Sequence, residues 1–286
     1  MLTEKEIGKI ASLWRYPVKS MIGESLSSVK IDDKGLWGDR CYALIDKATG
    51  KVITAKNPRK WPTIFGFSAS LIESDNSIND TPPVRIRLED GSLVTSDQEN
   101  INQILSKAFN HEVLLAVTNG FETSGVHSPL PDSWTAKSEE YKPEMDEREK
   151  EATVTNFALP VGTFFDDSKV HLLTTSTLAK LSDCYPEGDF KVQRFRPNMV
   201  IESLGEESSF AENNWVGHTI LIGNQVRLKI EKPCPRCVMP TLPQGDIPKD
   251  LGILQTAVKY NQGNVGVYAS VLQSGQVRSE DRVRIE

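Results

Sequence analysis

Two cysteines lie three positions apart in the sequence Cys234-Pro235-Arg236-Cys237. A deprotonated thiol is a good ligand for a soft transition metal. The positive charge of Arg236 favours the thiolate form of a neighbouring cysteine and can itself bind an anion. This segment is therefore a candidate for metal or anion chemistry.

A cysteine pair with this spacing also occurs in zinc sites, in redox pairs and in purely structural positions. A zinc site needs four ligands, but the two further cysteines and the four histidines show no matching spacing. A thioredoxin-like redox pair opens a helix, whereas Pro240 and Pro243 follow here and proline breaks helices. Two buried thiols can also act only as small apolar side chains. The pattern disfavours zinc and redox chemistry and leaves structural thiols and a single thiolate ligand open.

A second segment, Arg194-Phe195-Arg196-Pro197-Asn198, carries two guanidinium groups. Proline pushes the residue before it into an extended conformation, so we expect Arg196 and Arg194 to lie on one face of a strand. A guanidinium fork suits phosphate or carboxylate, and the Asn198 amide can pair with the edge of a heterocycle. The alternative is that both arginines are solvated surface residues.

A third pair of segments lies near the N-terminus. Tyr16-Pro17-Val18-Lys19-Ser20 offers an ammonium and a hydroxyl that could hold a phosphate, and Gly35-Leu36-Trp37-Gly38-Asp39-Arg40 adds a second cation. Its glycines allow close approach of the backbone. The full phosphate-loop pattern of nucleotide triphosphatases is absent from the sequence, so that class of enzyme is disfavoured.

Composition narrows the function classes further. The chain has 286 residues, with 33 Lys and Arg against 39 Asp and Glu, for a formal net charge of −6. An acidic chain is a poor nonspecific nucleic-acid binder. The start of the sequence does not resemble a secretory signal, and no apolar run reaches the roughly 18 residues of a membrane span. We expect a cytoplasmic protein that neither spans a membrane nor binds nucleic acid.

The elements that must position these segments are mostly strands. Alternating apolar residues and turn signals predict many short strands with hairpins, and a few apolar stripes predict helices. Strands are expected over 8–16, 41–46, 51–55, 63–73, 84–88, 92–95, 111–117, 195–202, 219–230, 265–272 and 277–285, and helices over 101–108, 173–184 and 251–260. A capping box is expected at Ser96-Asp97-Gln98-Glu99, a helix stop at Asn110, and a hairpin turn at Ser274-Gly275.

These elements predict an α+β protein dominated by antiparallel β structure. A smaller, β-barrel-like N-terminal domain over 1–122 and a C-terminal β-barrel domain over 153–286 are expected, with few helices. The residues between them, 123–152, are rich in proline, serine and charge, and are expected to form a solvated linker or a lid over a site.

The motifs, taken together and in order, resemble those of MOSC-domain proteins that carry a leading β-barrel domain, such as the amidoxime-reducing components and their bacterial relatives. The resemblance rests on the four segments above and on His171-Leu172-Leu173-Thr174. It spans nearly the whole chain, and five ordered motifs are more specific than any one of them.

The resemblance implies a molybdenum cofactor, in which a molybdopterin dithiolene and one protein thiolate bind the metal. Cys237 corresponds to the metal ligand and catalytic residue of the family. Seven further positions correspond to family residues that contact the phosphate or the pterin or that precede the metal ligand. They are Lys19, Ser20, Arg40, Thr174, Arg196, Asn198 and Arg236. Ser176 is added as a possible donor at the start of a helix. One small anionic ligand contacting both the N-terminal and C-terminal groups would explain all of these residues.

The resemblance further implies an oxidoreductase that reduces N-hydroxylated or other N-oxygenated small molecules by two-electron oxygen-atom chemistry. The sequence carries no ferredoxin-like cysteine cluster. Electrons are therefore expected from a separate flavin, iron–sulfur or cytochrome protein. The alternative function is a carrier or binding module for sulfur or for the cofactor, for which a persulfide on Cys234 or Cys237 would be diagnostic.

Overall fold

The computed structural model describes residues 4–72, 81–118, 136–142, 153–205 and 208–286. The strands are β1 (Lys5–Arg15), β2 (Glu24–Leu26), β3 (Ser28–Asp32), β4 (Gly35–Leu36), β5 (Tyr42–Asp46), β6 (Lys51–Val52), β7 (Ser68–Leu71), β8 (Val84–Arg87), β9 (Leu93–Thr95), β10 (Val113–Val117), β11 (Lys137–Lys142), β12 (Thr153–Ala158), β13 (Val170–Thr174), β14 (Met199–Ser203), β15 (Thr219–Ile222), β16 (Val226–Pro235), β17 (Asn264–Gln273), β18 (Gly275–Arg278) and β19 (Arg282–Ile285). The α-helices are α1 (Ile101–Phe109), α2 (Thr175–Cys184), α3 (Val192–Phe195) and α4 (Gly252–Asn261).

The described chain divides into two compact units that are interleaved in the sequence. Unit 1 comprises Met1–Trp14, Ser25–Trp37 and Ser168–Glu286, and unit 2 comprises Arg15–Glu24 and Gly38–Asp167. The expected domain bounds and the linker or lid stay a prediction. Part of the expected linker is the strand β11, and much of the rest lies outside the described residues.

Unit 1 contains a closed barrel of seven strands. The strand order is β14-β13-β17-β16-β15-β19-β1, and β1 pairs again with β14 to close the ring. The β13–β14 pair is parallel and the other pairs are antiparallel. Closure leaves the barrel without free sheet edges. The expectation of a mainly antiparallel β-barrel protein is confirmed.

The barrel holds an apolar core because its strands alternate inward and outward residues. In β1, for example, Ile10 and Leu13 are fully buried on either side of a register shift between Ile10 and Ser12. A bulge adds one residue to a strand, which lets Ile10 and Leu13, three positions apart, both belong to the core. The same core contains Leu172 of β13 and Met199 of β14, both fully buried. The strands that carry the candidate site are therefore anchored in this core.

Unit 2 is built from two smaller sheets. Five strands are ordered β10-β5-β6-β11-β12, and three are ordered β7-β8-β9. Strand β5 is buried along its whole length. Helix α1 ends, as expected, at Asn110, whose φ of 51° is left-handed. The expected capping box is wrong: the N-cap residue of α1 is Asn100, and its side chain makes no capping hydrogen bond.

The expected C-terminal hairpin is also wrong. Strand β18 pairs with β3, while β17 pairs with β13 and β16, and β19 pairs with β15 and β1. Barrel closure overrides the local turn signal, because each barrel strand needs two neighbours. The expected strand over 219–230 is two strands, and most of the expected strand over 63–73 is a 3-10 turn followed by β7. No helix in the described part of the chain is long and apolar enough to cross a membrane.

Candidate cofactor site

The cysteine pair lies at the end of β16, where the strand leaves the barrel. Cys234 belongs to the strand and is fully buried, whereas Cys237 follows the strand and is half-buried. Both cysteines are reduced thiols. The two thiols therefore differ in access, and only Cys237 presents surface to a ligand.

Arg236 lies between the two cysteines and is held by three contacts. Its Nη1 donates to the sulfur of Cys234 at 2.9 Å, its Nη2 donates to the carbonyl of Phe195 at 2.9 Å, and its backbone amide donates to the carbonyl of Gly263 at 2.8 Å. Its Nε is buried and has no hydrogen-bond partner among the described residues. The guanidinium is fixed in place, and its Nε–H is not used by the described residues.

His171 lies against the same thiol. Burial alone would raise the pKa of Cys234, but the charges of His171 and Arg236 and hydrogen bonds from His171 and Tyr268 lower it to about 6. The two ring nitrogens of His171 lie 3.4 Å from the carbonyl of Arg196 and 3.1 Å from that of Val265. The positive charges around Cys234 therefore favour the thiolate form although the side chain is buried.

The arginine segment does not form the expected strand. Arg194 is in α3, and Arg196 ends that helix in a left-handed conformation with φ 54°, its amide donating to the carbonyl of Val192. The expectation that Pro197 makes Arg196 extended is wrong, because Arg196 is the C-terminal cap of α3 and has a left-handed backbone conformation there. The two side chains consequently do not share a strand face. Arg194 is fully buried and Arg196 is 6% exposed, so the solvated-surface alternative is also wrong.

Asn198 joins this segment to β13 and β1. Its side-chain Oδ1 accepts from the backbone amide of His171 at 3.0 Å, and its backbone amide donates to the His171 carbonyl at 2.8 Å. Its Nδ2 lies 3.5 Å from the carbonyl of Trp14. Asn198 thus connects the motifs that contain His171 and Arg196, and it is 2% exposed.

Thr174 and Ser176 lie where β13 passes into α2. Thr174 is the N-cap of α2, where its Oγ1 accepts from the amide of Thr177 at 3.1 Å and donates to Oε2 of Glu212 at 2.5 Å. Ser176 lies 3.0 Å from the hydroxyl of Thr174 and accepts from Ser203 at 3.0 Å. Both hydroxyls are buried and belong to a hydrogen-bonded chain that ends on Glu212.

In unit 2, Lys19 is buried beside Asp166. Its Nζ lies 2.5 Å from Oδ1 of Asp166 and donates to the carbonyl of Phe164 at 2.7 Å. Burial lowers the pKa of Lys19 to about 8, against the attraction of Asp166 and with help from the charges of Lys56 and Arg40. The two lysines hold the pKa of the Asp166 carboxyl well below its usual range although burial opposes them. Two ammonium groups thus share one carboxylate.

Arg40 and Ser20 are placed by the backbone of the N-terminal motifs. The amide of Arg40 donates to the carbonyl of Tyr16, and its guanidinium pairs with Asp39 and lies 4.5 Å from the centre of the Tyr16 ring. The hydroxyl of Ser20 accepts from the amide of Ala55 at 3.1 Å. The structure therefore brings the two N-terminal motifs together, as their shared interpretation requires.

Backbone strain marks several of these residues independently of their side chains. Non-glycine residues with positive φ in the described chain are Ser20, Arg40, Asn110, Arg196, Gln262 and Glu280. Asn110, Arg196 and Gln262 end helices and need no further reason. Ser20 and Arg40 end no helix and belong to the expected cofactor positions. A strained conformation that persists in such residues is typical of binding sites.

The donor set fits the group that the resemblance implies. No group of three or more His, Cys, Asp or Glu side chains in the described ranges could hold a metal ion. A molybdopterin supplies two sulfur ligands of its own, so the protein needs to supply only one thiolate, and Cys237 is the accessible one. The unused, buried Nε of Arg236 is a donor suited to a polar ligand atom.

The sequence reasoning did not identify the acidic partners of the site. Asp166 lies 147 positions from Lys19, and Glu212 lies 38 positions from Thr174. Neither carboxylate belongs to a recognisable motif. The buried ammonium of Lys19 favours a nearby anion, but only the fold shows which of the 39 acidic residues supplies it.

Comparison with known proteins agrees with the architecture. The family model for the MOSC N-terminal beta barrel domain matches residues 7–112, and that for the MOSC domain matches residues 160–284. The chain is similar to mitochondrial amidoxime reducing component 2 of Bos taurus, at 26% identity over 83% of this chain and 67% of that protein.

Two further similarities were found. Mitochondrial amidoxime-reducing component 1 of Homo sapiens is 26% identical over 90% of this chain and 73% of that protein. The crystal structure of the YUAD protein from Bacillus subtilis covers 99% of this chain and 98% of its own, at 11% identity and a TM-score of 0.46. Because two ordered family models match most of the sequence, the chain belongs to the MOSC-domain proteins that carry the MOSC N-terminal beta barrel domain.

Proposed function

We propose that this protein binds a molybdenum cofactor and reduces N-hydroxylated or other N-oxygenated small molecules, with electrons from a separate flavin, iron–sulfur or cytochrome protein. Family membership and the similarity to proteins named for amidoxime reduction support an oxidoreductase role. The substrate class and the dependence on molybdenum are the proposal.

The contrast between the two cysteines carries the proposal. Cys234 is buried and its sulfur accepts a hydrogen bond from Arg236, whereas Cys237 is partly accessible and follows directly after that arginine. A metal ligand must be reachable and benefits from nearby positive charge, which favours the thiolate. Cys237 meets both conditions.

Each group of residues has a distinct part in this proposal. Cys237 holds the metal, and Arg196 and Arg236 supply positive charge and donors to the cofactor. Asn198 keeps the backbone around Arg196 and His171 in place. Thr174 and Ser176 fix the start of α2, and their engagement with Glu212 and Ser203 makes them supports for the site.

Lys19, Ser20 and Arg40 would bind the anionic end of the cofactor. Lys19 already has Asp166 as a counter-ion, and Lys56 pairs with the same carboxylate at 3.3 Å. A bound phosphate would compete with Asp166 for Lys19. The binding of one ligand by this group and by the residues of unit 1 stays a prediction.

When bound, the cofactor supplies two-electron oxygen-atom chemistry, while the protein orients it and sets its electrostatic surroundings. Buried and half-buried cations stabilise an anionic ligand more strongly than solvated ones, because the local dielectric is low. The residues identified in the site are suited to holding the cofactor, and none of them is assigned as a separate acid or base.

The second candidate function is a carrier of sulfur or of the cofactor. It is favoured by Cys234, since a thiol with a pKa near 6 is largely a thiolate at neutral pH and can accept a sulfur atom from a persulfide. Its complete burial opposes such a transfer. A persulfide on either cysteine after exposure to a sulfur donor would support this function.

The test is to express the protein in a host that makes molybdopterin and to measure molybdenum, molybdopterin and the reduction of an amidoxime by an artificial electron donor. We expect about one molybdenum per chain and turnover of the amidoxime. The variant to compare is Cys237→Ala, which should lose the molybdenum. Cys184→Ala is its matched control, because Cys184 is also a half-buried cysteine of unit 1 but lies at the end of α2. Protein that carries cofactor without turnover, or persulfide without molybdenum, would favour the carrier.

A further inference from the structure

The segment 238–250, which follows Cys237, is compact although it contains little regular structure. It contains one 3-10 turn, Met239–Thr241, and three prolines, at 240, 243 and 248. Its own amides donate to several of its carbonyls, among them those of Val238, Thr241 and Ile247. The carbonyls of Pro240 and Pro248 instead accept from a side chain elsewhere in the chain.

That side chain belongs to Arg194. Its Nη1 donates to the carbonyl of Pro240 at 2.9 Å, and its Nη2 donates to that of Pro248 at 2.9 Å. Its Nε donates to the carbonyl of Asp189 at 2.7 Å. The side chain is fully buried. One rigid guanidinium thus fixes two carbonyls that are eight positions apart in the segment, and ties both to the chain before α3.

The segment is held on the other side of Cys237 as well. Arg236, which precedes Cys237, donates through Nη2 to the carbonyl of Phe195 at 2.9 Å. Phe195 is the residue after Arg194 in α3. The short helix is therefore fastened to the backbone before Cys237 through Phe195 and to the backbone after it through Arg194.

We propose that Arg194 is a positioning residue that fixes the backbone after Cys237 and so sets the direction of the Cys237 thiol. Burying a guanidinium is costly, and apolar side chains of similar size often stabilise a fold equally well. An arginine, unlike an apolar residue, has donors in a fixed fork and can hold two carbonyls in a defined geometry. This role rests on the proposed function in that Cys237 is the ligand to be directed.

Hydrogen exchange tests the role without cofactor, on the full chain purified from a host that cannot make molybdopterin. The variants are Arg194→Met, which removes all donors, and Arg194→Lys, which keeps the charge but cannot form the fork. The reporters are the amides of Thr241, Gln244 and Asp250, which are hydrogen-bonded within the segment. We expect their exchange to accelerate at least tenfold in both variants, with the barrel amides of β13 and β14 unchanged.

Leu181→Ala is the matched control, because Leu181 is a fully buried apolar residue of the same cluster as Phe195 and its side chain has no hydrogen-bond donor. It should accelerate exchange more evenly through unit 1. If the Arg194 variants exchange as the wild type does, or show the same even pattern as Leu181→Ala, Arg194 is not a positioning residue.

A second readout separates this inference from the proposed function. In a host that makes molybdopterin, Arg194→Lys should hold several-fold less molybdenum than Leu181→Ala, at matched thermal stability. Equal molybdenum contents in the two variants would overturn the inference. If the wild type holds no molybdenum, the proposed function fails, whereas the exchange experiment still decides the role of Arg194.

Discussion

Each unit buries one cysteine, and the two thiols are in opposite electrostatic settings. Cys41 in unit 2 is 1% exposed, and its thiol donates to the carbonyl of Gly38 at 3.0 Å. Burial, aided by the charge of Asp39, raises its pKa. Cys234 in unit 1 is equally buried, yet its pKa falls to about 6. Burial is the same, so the neighbouring charges set the difference.

The comparison shows how neighbouring groups can move the pKa values of two equally buried thiols in opposite directions. Cys41 has carbonyls and a carboxylate beside it, which favour the protonated form. Cys234 has the charges of Arg236 and His171, which favour the thiolate strongly enough to outweigh desolvation. Substitutions of these neighbours therefore test whether the nearby charges set the two pKa values.

The largest expected effect follows from Arg236→Met. The charge of Arg236 is one of the causes that lower the pKa of Cys234, so without the guanidinium that pKa should rise from about 6 toward the ordinary value of about 8.5, while His171 still lowers it. Titration of the thiolate absorbance measures this, in a chain whose other three cysteines are alanine. Arg40→Met, which removes a cation of unit 2, is the control and should leave the Cys234 pKa unchanged. A Cys234 pKa that stays near 6 in Arg236→Met would contradict the role of Arg236 in lowering it.

In unit 2 the important charge pair lies at Lys19 rather than at the cysteine. Asp166→Ala leaves the buried ammonium of Lys19 with the Phe164 carbonyl as its remaining described partner. The free energy of unfolding should fall by about 3 kcal/mol, as when one partner of a buried pair is removed. Urea unfolding measures it, with Asp167→Ala, an exposed carboxylate next in sequence, as the control. Equal losses in the two variants would contradict a buried pair.

The third effect is a pH dependence of stability. A thiol whose pKa is lower in the folded chain than in the unfolded chain stabilises the fold at high pH, and that contribution disappears as the pH falls through about 6. The stability of wild type relative to Cys234→Ala should therefore fall by about 2 kcal/mol between about pH 8 and pH 5. The corresponding difference for Cys41→Ala should stay flat in that range. Parallel curves for the two variants would show that Cys234 stays a thiol.

Much of the fold could be predicted from local pattern. The amphipathic stripe located α1 and its end at Asn110, and the alternating runs located most strands of both units. Strand partners could not be predicted, as the misassigned C-terminal hairpin shows, because β18 finds β3 more than 240 positions away in the sequence. Pairing at that distance is decided by barrel closure and not by local sequence.

The candidate site divides in the same way. The residue types and their order indicated which positions to examine, and the resemblance indicated a cofactor. The conformation of Arg196 and the burial of Arg194 could not be predicted, since both depend on α3 and on carbonyls 46 and 54 positions away from Arg194. Asp166 and Glu212 were missed because an isolated carboxylate carries no pattern.

The molybdenum content of Cys237→Ala and Cys234→Ala, each expressed in a host that makes molybdopterin, tests the central claim most directly. The two substitutions remove the same atoms three positions apart, so a difference between them reports the role of each thiol. We predict that Cys237→Ala contains no molybdenum and that Cys234→Ala keeps a substantial part of the wild-type amount. Retention of molybdenum in Cys237→Ala, with its loss in Cys234→Ala, would contradict the assignment of Cys237 as the metal ligand.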